Sequence, residues 1–401
     1  MNHRTKRYVF LCIVTFFGLL LAGCSDQPNP VGASILPLTD TPKTHRDTLD
    51  AVSHKSTKAF LVTRLADRMP VGIADIQLAA TVRYESWGVI KFTQFPDTLL
   101  GATIVDAIVQ LRSSYRFGDS LSSLSFAVYR AVGNVLGDSL TLDSVMQRRG
   151  EYLAPSPLAT VSALPPGDTG LVPIAITDTA MLNAWFATNT DTIHANDGLV
   201  LQPMPSGVLK GFSTFNDGNT SWRPALVVHY IKGGQPGTYT HQTGAARYLS
   251  AVNEAGLLAD PQLVMVQSGI SYRGFLTFDI SKIPNPSMVS LATLDITLDP
   301  ASSRFSWTSH DSLFAGFVNQ DGTVSTSSYT LSNVVASATG HHYQFNITSF
   351  VQAWMKQPTL PRQIALSGFD ENGALDLHAL YGSAASAEAR PHIVITYSST
   401  R

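Results

Sequence analysis

From about residue 51 onward, apolar positions come in short runs of β-branched and aromatic side chains, broken at close intervals by Gly, Asn, Asp and Ser. Alternation of period two marks a strand with one buried face, whereas a surface helix repeats its apolar positions every three or four residues. No long stretch of the second kind occurs, so the pattern predicts a body of antiparallel strands and turns, an all-β fold. Two short segments switch to helical spacing. Residues 174–185 and 343–354 each run from a strand into a short amphipathic helix, with Met181/Trp185 and Phe350/Trp354 four apart on one face. Asp178 or Thr177, and Thr348 or Asn346, are the expected N-caps, and the two tryptophans read as core plugs.

These segments belong to an internal repeat. Trp222-Arg223-Pro224-Ala225-Leu226-Val227-Val228-His229-Tyr230 pairs with Ala389-Arg390-Pro391-His392-Ile393-Val394-Ile395-Thr396-Tyr397, 167 positions on. The strand-helix segments recur at 169 positions, but Trp87-Gly88-Val89-Ile90-Lys91-Phe92 answers Arg273-Gly274-Phe275-Leu276-Thr277-Phe278 at 186. The falling offset places an insertion in the first copy, at about 133–170, where Gly, Pro and Ser are dense. The copies are expected as two tandem domains, 51–232 and 238–401, separated by a Gly233-Gly234-Gln235-Pro236-Gly237 linker. Arg223 and Arg390, each before a proline, are expected to pin the closing strands.

The N-terminus has a different character. Arg4, Lys6 and Arg7 precede an apolar run over 8–21, shorter than the roughly 20 residues of a membrane-spanning helix. The run ends in Leu21-Ala22-Gly23-Cys24, which resembles the bacterial lipoprotein box and implies a signal peptide over 1–23 and a lipid on Cys24. Ser25 in the next position resembles the pattern sent to the outer membrane of Gram-negative bacteria. Residues 24–50, punctuated by Pro28, Pro30, Pro37 and Pro42, read as a flexible tether between lipid and body. The expected membrane partner is therefore reached through acyl chains. Cys12 and Cys24 are the only cysteines, so the body is expected to hold no disulfide, cysteine zinc site or cysteine nucleophile.

Composition narrows the function classes. The 401 residues carry 27 Lys+Arg against 29 Asp+Glu, a net charge of −2 that offers no footprint for nucleic acid. With 44% apolar residues, 29 glycines and 22 prolines, the chain can bury a core and still turn often.

Taken together, the boxes Arg273-Gly274-Phe275-Leu276-Thr277-Phe278-Asp279-Ile280-Ser281, Ala292-Thr293-Leu294, Trp354 and Arg390-Pro391 resemble the DNRLRE-type domains of bacterial and archaeal surface proteins and related carbohydrate-binding modules. The first copy is more divergent, with Phe92-Thr93-Gln94 in place of Phe-Asp-Ile. The resemblance implies two tandem jelly-roll-like antiparallel β-sandwiches, each with one short helix, stationed at the cell surface and often concerned with polysaccharide. It transfers no catalytic residue.

Gly118-Asp119-Ser120-Leu121 and Gly137-Asp138-Ser139-Leu140 spell the string of the GDSL esterases, and Asp191-Thr192-Ile193-His194 supplies an Asp-x-x-His downstream. That family has an α/β fold and oxyanion blocks that this sequence lacks, so turns are expected at both serines. His341-His342 is expected as an exposed pair on a strand rather than a metal site. Asn216-Asp217-Gly218-Asn219, Asn319-Gln320-Asp321-Gly322 and Asp370-Glu371-Asn372-Gly373 read as tight turns, with a structural calcium ion as the alternative and no other cofactor expected. Sugar binding needs an aromatic platform with polar groups beside it, and the candidates are Trp87, Trp222, Trp307, Tyr84 and Arg304. The expected function is a non-catalytic, lipid-anchored envelope protein that binds polysaccharide or another envelope component. The alternative is a structural or adhesive protein with protein partners, and a serine esterase stands third.

Overall fold

The structure, a computed structural model, describes residues 42–165, 169–187, 196–306, 312–337 and 340–399. Strand β1 (Lys43–Lys58) opens the chain, followed by β2 (Arg68–Gln77), β3 (Thr81–Phe92), β4 (Thr103–Gly118) and β5 (Leu124–Arg130). Helices α1 (Leu142–Gln147) and α2 (Arg149–Tyr152) precede β6 (Ala159–Leu164) and β7 (Gly170–Ile176). Helix α3 (Thr179–Ala187), β8 (Leu199–Pro203), β9 (Val208–Ser213) and β10 (Ala225–Lys232) complete the first series. The second begins with β11 (Gln235–His241), β12 (Gly244–Val252), α4 (Glu254–Leu257), β13 (Leu263–Gln267) and β14 (Tyr272–Phe278). Then come β15 (Met288–Leu298), β16 (Ser312–Val318), β17 (Val324–Asn333), β18 (Val335–Ser337) and β19 (Gly340–Asn346). Helix α5 (Thr348–Lys356), β20 (Gln363–Gly368), β21 (Leu377–Tyr381) and β22 (His392–Ser399) end the chain.

The fold is all-β, as the alternation predicts: two eleven-stranded sheets, each curled back on itself into a jelly-roll-like barrel. The first runs β11-β10-β4-β9-β2-β3-β8-β5-β6, with β12 on β3 and β7 on β4. The second runs β1-β22-β15-β21-β13-β14-β20-β16-β17, with β1 also on β14 and β19 on β15. The orders coincide once β1 is matched with β11 and β12 together, and only β18, which pairs with β19, has no counterpart among the described residues. Each barrel therefore contains the first strand of the other copy. β1 pairs antiparallel with β22 from Lys43↔Ser399 to Asp50↔His392, then with β14 from Ala51↔Phe278 to Lys58↔Tyr272. In the same way β11 pairs with β10, and β12 runs along β3 from Gly244↔Phe92 to Val252↔Tyr84.

This exchange corrects three expectations about organisation. Residues 43–50 are strand rather than tether. Residues 51–58 belong to the second barrel, and β11 and β12 to the first, so neither sheet keeps to the sequence boundaries. The glycine-rich 233–237 stretch is no linker: Gly233 and Gly234, at φ 59° and 78°, form the two-residue turn of the β10–β11 hairpin, a geometry that needs two positive φ angles in succession. The insertion lies between β5 and β6, where residues 131–158 carry α1 and α2; β16 and β17 are joined by a short turn instead.

Each barrel has its own core, the second including Leu49 and Ala51 of the visiting β1 and the first Tyr248 of β12. The repeated helices are core plugs, as their spacing predicts: Trp185 and Trp354 are 3% and 1% exposed. Asp178 caps α3 by accepting from Met181 N at 2.9 Å, and Asn346 accepts from Thr348 N at 3.1 Å. Shorter helices α1, α2 and α4 stand in addition to the one expected per copy. A third apolar cluster joins the barrels, bringing Ile76, Tyr84, Tyr115 and Phe117 against Met265, Ile270, Tyr272 and Leu377. Within the first barrel Tyr115 faces Gly211 across β4 and β9, and an alanine Cβ at position 211 would enter the space of the Tyr115 ring. Gly211→Ala is expected to cost about 1–3 kcal/mol by overpacking, read as a lower denaturant midpoint with an unchanged slope.

Candidate ligand-binding cleft

The outer faces of the two barrels differ in what covers them. On β3 the inward positions Ile90 and Phe92 enter the barrel core, so Trp87 and Val89 point outward. There they meet Val200 of β8, Leu249 of β12, and Leu142, Val145 and Leu153 of the inserted segment. Arg149 of α2 lies over the Tyr129 ring at 4.5 Å and donates to Gln202 Oε1 at 3.1 Å, extending the cover across β5 and β8. The insertion caps this face.

In the second barrel no helix among the described residues covers the equivalent face. Arg273 and Phe275 take the places of Trp87 and Val89, and Phe275 pairs with Ala365 as Val89 pairs with Val200. With no inserted helices above them, Arg273, Phe314, Tyr329, Ser367, Phe369 and Glu371 line a cleft of about 380 Å³, within the ~300–1,000 Å³ of small-molecule sites. Phe314 sits at the centre: its ring is stacked on Phe369 at 5.5 Å and 23°, and tilted to Tyr329 at 5.6 Å. Phe369 and Tyr329 remain 45% and 50% exposed. Exposed aromatic surface of this kind makes the cleft a candidate binding site.

The polar side of the cleft is held rigidly. Arg273 Nε and Nη2 donate to Glu371 Oε1 and Oε2 at 2.8 and 2.7 Å, a bidentate pair. Glu371 is fixed further by Ser271 Oγ at 3.0 Å, and its carbonyl accepts from Gly269 N at 2.8 Å. The hydrogen bonds that Arg273 donates to Glu371 raise its pKa above the ordinary value. Phe369 N donates to Ser312 O at 3.2 Å, tying the loop after β20 to β16. Gly316 makes the floor: a Cβ there would press on Val324 Cγ1.

No family model and no curated protein matches the chain. Among solved structures it is similar to VP2 capsid proteins of infectious bursal disease virus. A VP2 mutant from T=1 particles is 11% identical over 89% of this chain and 74% of that chain, at a TM-score of 0.12. A second T=1 structure gives 10%, 89%, 73% and 0.11, and the Gx strain gives 10%, 90%, 78% and 0.08. At TM-scores this low the likeness carries no argument about fold or function.

The residues proposed from sequence do not form this cleft. Trp87 is 2% exposed and donates Nε1–H to Glu85, and Tyr84 is fully buried with its hydroxyl donating to Gln267 Oε1 across the barrel interface; neither can be a platform. Burial raises the Tyr84 phenol pKa, so it stays a donor. Trp222 is half-buried, with the Arg68 and Arg112 guanidinium groups 6.0 and 5.7 Å from its ring, and Arg68 is paired to the buried Asp217 at 2.8 Å. Arg304 donates to the carbonyls of Ala301, Ser303 and Gln77 and so tacks the barrels together. Trp307 lies outside the described residues.

The remaining motifs resolve into local structure. Ser120 and Ser139 lie on turns; Asp119 accepts from Leu121 N and Ser122 Oγ, which holds its carboxyl below the usual range, and Asp138 pairs with Arg64. Asp191 and His194 lie outside the described residues. His341 is exposed, but His342 is not: its Nδ1 lies 2.9 Å from Asp295 Oδ1, because the two strands bring the pair together across β15 and β19. Among the described residues no group of three His, Cys, Asp or Glu side chains could hold a metal ion. The three Asn/Asp-Gly loops spend their carboxylates internally, Asp217 on Arg68, Asp321 on Thr323 and Glu371 on Arg273. Arg223 Nε donates to Asp217 O and Arg390 Nη2 to Ala385 O, which pins both closing strands. Sequence reasoning passed over Phe314, Tyr329 and Phe369 in favour of tryptophans; the signal available was Arg273 at the repeat position of Trp87, beside an insertion confined to the other copy.

Proposed function

We propose that this is a non-catalytic envelope protein, anchored by a lipid on Cys24, whose second barrel binds polysaccharide in the open aromatic cleft. The observation that carries the reading is the Phe314–Phe369–Tyr329 surface beside a fixed Arg273–Glu371 pair. Aromatic faces take the apolar C–H face of a sugar ring, while the carboxylate and Ser367 offer polar groups to its hydroxyls. The export signal and lipoprotein box at 1–24 support placement on a Gram-negative outer membrane, and the DNRLRE-type motifs support a surface role. The first barrel, capped on the same face, serves as scaffold.

The test is retardation of residues 25–401 in affinity gels containing acidic and neutral polysaccharides. One polymer is expected to retard the protein, and Phe369→Ala with Tyr329→Ala to weaken binding about tenfold or more, a loss of roughly 1.4 kcal/mol. Trp222→Ala is expected to leave retardation unchanged. Absence of retardation by any polymer, with the protein folded, would overturn the reading in favour of a structural or adhesive role with protein partners.

A further inference from the structure

We propose that β1 is an exchangeable donor strand, and that the seat it fills between β22 and β14 also takes the β1 of a second copy of this chain. Its register occupies two sheet edges at once: Thr48 lies opposite Val394 on one side and Ser53 opposite Thr277 on the other. Only Leu49 and Ala51 of its sixteen residues are buried; besides its backbone ladder, β1 is tied by side-chain bonds of Asp47 with Tyr397, His54 with Ser383 and Ser56 with Met265 N, all of which the same strand of a second copy would remake. Its counterpart in the first barrel is bound differently, since β11 follows β10 through a two-residue turn. Between β1 and the barrel it completes, the chain passes through the whole first barrel. Closure is thus an encounter between distant parts of the sequence, and a neighbouring chain can supply the same strand in the same register.

Once β1 leaves, β22 and β14 present unpaired N–H and C=O groups that another strand satisfies. A second copy is the occupant with the right sequence, because its own β1 carries Leu49 and Ala51 in the register that fills the core. The hinge at 59–67 has to move with the strand: it includes one 3-10 turn, and its contacts include Ala59 N on Ser271 O and the buried Ala66 in the first barrel's core. The product is a pair of chains, each barrel complete, with two β1 strands traded. This inference does not depend on the polysaccharide cleft.

The chain from residue 25 onward holds no cysteine, so single cysteines report the exchange cleanly. Thr48→Cys and Val394→Cys chains are mixed, unfolded and refolded together, then oxidised. The expected product is a disulfide-linked pair joining position 48 of one chain to position 394 of the other, with a yield that rises with protein concentration. The doubly substituted chain, oxidised alone and dilute, is expected to close within itself, which shows that the geometry permits the bond. Ser53→Cys with Thr277→Cys reads the other edge of the seat in the same manner. Closure of the double variants with no 48–394 or 53–277 link in the mixtures at high concentration would overturn the proposal.

Discussion

Trp87→Ala is expected to destabilise the protein by about 3–5 kcal/mol and to leave polysaccharide retention unchanged under conditions where the variant is folded. The indole is 2% exposed between β3 and the inserted helices, in a cluster with Val89, Val145, Leu153, Val200 and Leu249. Its removal leaves a cavity under α1 and α2 and takes the Nε1–H donor away from Glu85. Urea unfolding measures the first part of the expectation and affinity gels the second. A variant as stable as the parent that no longer binds would instead place the site on the first barrel.

Acid is expected to weaken the fold through His378. Its side chain is packed in the second barrel against Phe305 at 4.9 Å and Tyr343 at 6.0 Å, and among the described residues neither ring nitrogen has a hydrogen-bond partner. Burial lowers its pKa from 6.5 to about 3. In the unfolded chain the ring takes up a proton as pH falls through about 6.5, while in the folded protein it stays neutral until about 3. Stability is therefore unaffected by this group above about pH 6.5 and falls as pH drops through the window to 3. The cost is roughly 1.4 kcal/mol per pH unit within the window, on the order of 4 kcal/mol at its end. His378→Leu is expected to remove this slope, seen as a smaller loss of unfolding free energy between pH 7 and pH 5 than in the parent. An identical pH dependence for both proteins would show that the imidazole is solvated or paired in solution.

Local pattern made the strand character legible because burial on one face forces alternation, and Leu226/Val228 and Ile393/Ile395 do enter the two barrel cores. The helices at Trp185 and Trp354 were legible for the equivalent reason, four-residue spacing of large apolar side chains. Sheet membership was not legible. Lys43 to Lys58 alternates in the same way whether it pairs with its own copy or with the other, since the pattern specifies which face is buried and says nothing of which chain segment lies alongside. The cleft was hidden by a related ambiguity. In Leu313-Phe314-Ala315-Gly316-Phe317 apolar residues occupy both faces, which reads as a strand buried on both sides, whereas only Leu313, Ala315 and Phe317 turn inward and Phe314 looks out. Glycines hid the hairpin, because Gly233-Gly234 serves a linker and a tight turn equally well.

The traded first strands bear on how such a chain can change its length during descent. In each copy the last strand is completed by whatever first strand comes next, and at the chain's end by β1. Loss of one whole copy would leave β1 facing the last strand of its own copy, so the remaining single barrel would still be closed. Deletion between the repeats is thus expected to give a one-barrel chain with no orphaned sheet edge, and the architecture of the surviving copy would be preserved.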